Sequence, residues 1–202
     1  MRTAFGNWRA LLAAVGLIAL TAGPAAAQFY GQAPRPGDPE PPLPANVNFE
    51  QRRGNTLPLD LELYDHTAQP VRLREVIGAK PSVLVLHYNR CPKLCNEVIQ
   101  AVLLGLNDAR KKDPAFVAGG PFNLIFVSVD PRDAPPAAMK NRHTFHQQYD
   151  GRSDDAPGVY FLTASHGQGT DVADADKKVH ELAEAVGFKY TLRFRNPDYK
   201  YD

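Results

Sequence analysis

Leu57, Leu59, Leu61 and Leu63 alternate with other residues, which is the period of a half-buried strand. A turn over Tyr64–Pro70 follows, and then the segment Val71–Ile77. Ser82–Tyr88 (SVLVLHY) is an unbroken apolar run of strand length, the pattern of a central strand covered on both faces. From Cys95 to Lys112 the period changes. Val98, Ile99, Val102, Leu103 and Leu106 recur at helical spacing, so the segment predicts an amphipathic helix. Phe122–Val129 (FNLIFVSV) is a second buried-strand run, stopped at Asp130–Pro131 because the residue before proline avoids the helical region. Ala137–Tyr149 predicts a helix, Val159–Thr163 a short strand, and Asp174–Val186 a helix ended by Gly187 in the C-cap position. Phe188–Phe194 reads as a last strand. Strands alternating with helices predict an α/β layer fold with parallel pairings.

The N-terminal part has a different pattern. Arg2 and Arg9 precede an apolar stretch over Leu11–Leu20, and Ala25, Ala26 and Ala27 form a small-residue cleavage site before Gln28. Residues 1–27 therefore read as a signal peptide, and the alternative is an uncleaved membrane anchor. The apolar run from Ala10 to Ala22 is short for a spanning helix, which needs about 20 apolar residues. Residues 28–56 read as a proline-rich linker, with Pro34, Pro36, Pro39, Pro41, Pro42 and Pro44 in a stretch poor in large apolar side chains. Residues 57–202 form the expected α/β domain. The chain stops at Asp202 with no closing helix after the last strand, which reads as a C-terminally incomplete domain.

Composition narrows the class. Over 202 residues, 44% are apolar and 22% charged, ordinary values that exclude collagen-like, coiled-coil and wholly disordered chains. Lys+Arg is 23 and Asp+Glu 22, so no basic excess points to nucleic acid. Two cysteines exclude a disulfide-dense scaffold and any four-cysteine metal site. An exported chain reaches an oxidising compartment, where thiols pair unless something reduces or metallates them.

Both cysteines sit in Cys91-Pro92-Lys93-Leu94-Cys95, at the junction between the first apolar run and the first long helix. Pro92 suits the first turn of a helix. Cys91 would then lie at a helix N-terminus, where the dipole favours a thiolate, and Cys95 would share its helical face. Lys93 and Arg90 are close enough in sequence to lower the thiolate pKa values. Three chemistries stay open: a structural disulfide closing a very short loop, a dithiol redox couple one residue wider than C-x-x-C, and a soft-metal site for Cu(I) or Zn(II). A third metal ligand would be a histidine. His66, His87, His143, His146, His166 and His180 are the candidates, and His143 and His146 are expected to share a helix face. No spacing ties any of them to the cysteines.

The segments SVLVLHYNRCPKLCNEV and FNLIFVSVDPRD resemble the Sco/SenC family over about Leu57 to Tyr190. The resemblance implies a thioredoxin-like fold and an exported or membrane-tethered copper chaperone serving cytochrome c oxidase assembly. It matches Cys91 and Cys95 to the two copper-ligating, redox-active cysteines. Ser128, Val129, Asp130 and Pro131 match a second signature that ends a strand near the site and does not ligate. It also implies a third, histidine ligand beyond the segment matching Phe188–Asp202, and a final hairpin and helix. The expected function is periplasmic copper binding at Cys91 and Cys95 and its delivery to the copper-site cysteines of an oxidase subunit. The alternatives are a thiol–disulfide oxidoreductase that reduces those cysteines, or an interaction domain without its metal site.

Overall fold

The computed structural model describes residues 47–90, 94–149 and 157–191. The elements in chain order are β1 (Asn48–Phe49), β2 (Glu62–Tyr64), β3 (Pro70–Arg72), α1 (Leu73–Ile77), β4 (Ser82–His87), α2 (Leu94–Lys112), β5 (Asn123–Ser128), α3 (Pro135–Gln148), β6 (Val159–Leu162), α4 (Val172–Ala185) and β7 (Phe188–Lys189). The two apolar runs become neighbouring parallel strands, in register from Ser82 opposite Asn123 to His87 opposite Ser128. β6 pairs parallel with the other side of β5. The strand order β4-β5-β6 makes β5 central. All six β5 residues are buried, whereas Val83 of β4 is 45% exposed. The expected burial of β5 therefore holds, whereas β4, expected as a central strand covered on both faces, lies at the sheet edge among the described residues. Both runs are largely apolar and yield strands of six residues each, and the pairing tells them apart.

Alternation along β5 divides the core. Leu124 and Phe126 face one cluster with Val85, Phe161, Ile99 and Leu103 of α2, Phe145 of α3 and Tyr149 just after it. Ile125 and Val127 face the other, with Leu63, Leu73, Val179 and Leu182. Helices thus cover both faces of the central sheet, giving the mixed α/β, thioredoxin-like layering that was expected. Phe126 stacks on Phe161 with centroids 4.3 Å apart. Burying a phenyl ring of this kind stabilises by about 2–3 kcal/mol.

Two local readings change. The alternating leucines yield a strand only over Glu62–Tyr64. Pro58 breaks the pattern, because its carbonyl accepts from Leu61 N at 3.0 Å and turns the chain before β2. Val98, placed on the buried face of α2 by its spacing, is 44% exposed. The helices otherwise start and stop close to their signals. Pro135 and Pro136 open α3, and Asp171 caps α4 by accepting from Ala173 N at 2.9 Å. The predicted strand over Phe188–Phe194 is observed only at Phe188–Lys189; Tyr190 and Thr191 are not strand, and residues 192–194 lie outside the described residues. Its partner is β1, which falls within the stretch read as linker. Gly187 makes this join possible. Its φ is +77, and a Cβ there would meet Glu50 O at 1.9 Å. The segment expected as a signal peptide, most of the expected linker and the last residues of the chain also lie outside the described residues.

Candidate functional site

β4 delivers the chain to the cysteine motif. Cys91, Pro92 and Lys93 lie outside the described residues, and Cys95 is the second residue of α2. The structure therefore places the backbone of Cys95 in the first helical turn. The expected Pro92 helix start, and the expected face shared by the two cysteines, also fall outside what is described.

What is described is the ground from which the motif springs. The end of β4 is tied to the end of β5, with Val129 N donating to His87 O at 2.6 Å. Just beyond, the chain turns at Pro131 and brings two buried carboxylates back toward β4. Asp133 Oδ2 accepts from Asn89 N at 2.5 Å and from Ser128 Oγ at 2.6 Å, and Asp133 Oδ1 accepts from Arg90 Nε at 2.8 Å. Asp130 Oδ1 accepts from Arg132 N at 3.0 Å and Arg132 Nε at 2.8 Å, and Asp130 Oδ2 accepts from Arg132 Nη2 at 3.0 Å. Arg90 Nη2 lies 3.8 Å from Asp130 Oδ2 and donates to Arg132 O at 3.1 Å. On the far side, Asn141 Nδ2 of α3 donates to Asn89 Oδ1 at 2.9 Å and Asn89 O at 3.3 Å. Asp130 and Asp133 are wholly buried. Buried carboxylates persist only when paired and hydrogen-bonded, and here two guanidiniums meet them.

This geometry revises the role expected of Arg90. Its guanidinium is held against Asp133 and Asp130, so its charge is met within the network. Sequence reasoning placed Ser128–Pro131 beside the site but passed over Asp133, Asn89 and Asn141. The available signal was a second acid three residues after Asp130, in a proline turn directly following a largely apolar run.

The six histidines scatter. His87 is 3% exposed, with its ring edge-on to Phe126 and Phe161. His146 is also buried, against Phe145, while His143 on the same helix is exposed and lies 2.8 Å from Gln147 Nε2. The two do not share a face as expected. A step of three residues along a helix leaves a 60° offset, and here that offset straddles the core boundary. His143 instead lines an open groove of about 890 Å³ with His66, His166 and Met139. His180 stacks on Tyr190 at 4.8 Å. Tyr190 Oη donates to Val129 O at 3.3 Å, and burial, then the Asp176 and Asp130 carboxylates, pushes its phenol well above the ordinary range. Among the described residues, no three His, Cys, Asp or Glu side chains are grouped to hold a metal ion.

The pairing of a strand-to-helix C-x₃-C with an S-V-D-P turn is matched at the level of the whole domain. The SCO1/SenC family model matches residues 50–186. The chain belongs to the SCO1/SenC family. Solved structures similar to this SCO1/SenC chain include apo Sco1 from Thermus thermophilus, at 24% identity over 77% of this chain and 77% of that one, with a TM-score of 0.46. Arabidopsis thaliana ScoI with copper bound is 18% identical over 70% and 71%, with a TM-score of 0.49. A SCO1/SenC family lipoprotein from Bacillus anthracis is 17% identical over 70% and 68%, with a TM-score of 0.42. A search of curated proteins finds no match. Among the described residues, no helix is long and apolar enough to cross a membrane.

Proposed function

We propose that this SCO1/SenC protein is exported to the periplasm, binds copper through Cys91 and Cys95, and hands it to the copper-site cysteines of a cytochrome c oxidase subunit. The observation that carries the reading is the position of the chain's only two cysteines. They sit where β4 gives way to α2, in a chain of this family. Two thiolates are a donor set that selects Cu(I), a soft ion tolerant of two-sulfur coordination. Copper is the cargo here, and the protein's part is to present the two sulfurs at the strand-to-helix junction. A second reading is dithiol exchange that keeps the partner's cysteines reduced. It is favoured because the two cysteines are the whole thiol complement, so intramolecular oxidation can only pair them with each other.

Anaerobic titration against a Cu(I) chelator tests the first reading. One Cu(I) is expected per reduced chain, and Cys91→Ser or Cys95→Ser should each weaken binding at least a hundredfold. A variant that keeps the parent affinity removes the two-thiolate site and leaves dithiol exchange as the function.

A further inference from the structure

The helices that follow β5 and β6 leave to opposite faces of the sheet. α3 carries Ala138 and Phe145 into the cluster around Phe126, whereas α4 carries Val179 and Leu182 into the cluster around Val127. Where successive connections diverge in this way, neither helix covers the strand ends, and a crevice is left beyond their carboxyl termini. Here that crevice is the open groove of about 890 Å³. Three separate elements line it. Pro135, Pro136 and Met139 come from the start of α3, His66 and Thr67 from the β2–β3 turn, and His166 from the segment after β6. The turn is fixed to that segment, since Tyr64 N donates to Thr163 O at 2.8 Å and the Tyr64 ring stands edge-on to His166 at 5.3 Å.

The lining has a definite chemistry. None of its residues is an acid, while Lys140 and Arg142 are both there, Lys140 exposed and Arg142 set into the wall. Asp65, beside the groove in sequence, turns its carboxylate into its own turn, accepting from Thr67 N and Oγ1 at 2.7 Å and Gln69 N at 3.0 Å. Three of the chain's six histidines, His66, His143 and His166, add ring N–H donors. Met139 is the chain's only methionine besides Met1, and it stands 49% exposed here near the exposed Pro136. An exposed thioether is a flexible apolar contact that adapts to the side chain it meets.

We propose that this groove is a docking site for an acidic, extended segment of a partner polypeptide, in which carboxylates alternate with apolar side chains. The carboxylates meet Lys140, Arg142 and the imidazoles, and the apolar side chains between them lie on Met139 and Pro136. The charge is local, because the whole chain carries 23 basic and 22 acidic residues whereas the groove has two basic residues and no acid. Complementary charge of this kind steers the encounter and fixes register more than it adds affinity. An extended segment suits the site better than a single small ion. The polar groups are spread over three elements, and no three His, Cys, Asp or Glu side chains among the described residues are grouped to hold a metal ion. Neither cysteine lines the groove, so the proposal stands apart from the copper reading.

The test follows the fluorescence anisotropy of a fluorescein-labelled peptide alternating glutamate with leucine as the full chain is titrated in. Saturable binding at one site per chain is expected, weakening at least fivefold as ionic strength rises from about 0.01 to 0.1 M. A lysine–leucine peptide of the same length should bind at least tenfold more weakly. Lys140→Glu should weaken binding of the glutamate peptide at least tenfold, His143→Glu at least fivefold and Met139→Ser about threefold. All three positions are exposed, so the fold should tolerate the changes. Lys177→Glu is the control. Lys177 is an exposed lysine of α4 in a different hollow, lined also by Asp60, Glu62 and Glu181, and its loss should leave binding within twofold of the parent. Absence of saturable binding overturns the proposal. So does an equal loss in Lys140→Glu and Lys177→Glu, which would show diffuse attraction to the whole surface. Equal binding of the two peptides overturns it as well, because the groove would then have no preference for carboxylates.

Discussion

His87 is an imidazole with no good place to put a proton. Among the described residues its ring nitrogens have no well-formed hydrogen bond, and the ring stands in T-shaped contact with Phe126 and Phe161 at 5.7 and 6.0 Å. Burial pushes its pKa down to about 4, against a weak opposing pull from the Tyr88 backbone. In the unfolded chain the same group titrates near 6.5. As the pH falls from about 6.5 toward 4, the unfolded state gains a proton that the folded state refuses, so stability drops across that window and the loss stops below it. A shift of this size corresponds to roughly 3 kcal/mol. Chemical denaturation of the parent should therefore lose stability between pH 6.5 and 4, and His87→Phe should flatten that slope by most of this amount. An unchanged slope would place the acid sensitivity elsewhere. His87 closes an apolar run read as covered on both faces, so its burial was legible in the sequence, whereas the 45% exposure of Val83 at the other end of the run was not. The Asp133 clamp was not, because a carboxylate's partner 44 residues away leaves no local trace.

At the level of elements, period was a good guide and pairing was not. α2, α3, α4 and β5 all stand close to where their apolar spacing puts them, because each buries a single face, or both, against a core that the spacing already implies. β1 was invisible. Two residues cannot show a period, and β1 exists only because Gly187 lets β7 pass close enough for Glu50 N to donate to Gly187 O at 2.8 Å. Gly187→Ala should therefore do two kinds of damage. A side chain at φ +77 is strained, and its Cβ would collide with Glu50 O. The expected cost is about 2 kcal/mol or more, read as a lower denaturant midpoint. The Glu50 amide should lose hydrogen-exchange protection before the core strands do. A midpoint within 0.5 kcal/mol of the parent would mean that the β1–β7 join adapts freely.

For the whole molecule, we expect residues 1–27 to act as a cleaved leader ahead of a tether and the domain. N-terminal sequencing of protein recovered from the periplasm is expected to begin at Gln28. Recovery of Met1 in the membrane fraction would show the segment acting as an anchor.

The hydrogen bonds at the foot of the cysteine motif span long stretches of chain, 44 residues from Asn89 to Asp133 and 52 from Asn89 to Asn141. The two cysteines themselves are four residues apart. Closing a short loop is fast, whereas contacts distant in sequence must wait until the intervening chain has collapsed and ordered. The order of events during folding follows. The contacts of Asn89 with Asp133 and Asn141 complete only after β4 and β5 have met, whereas closure between positions four residues apart needs only the local chain.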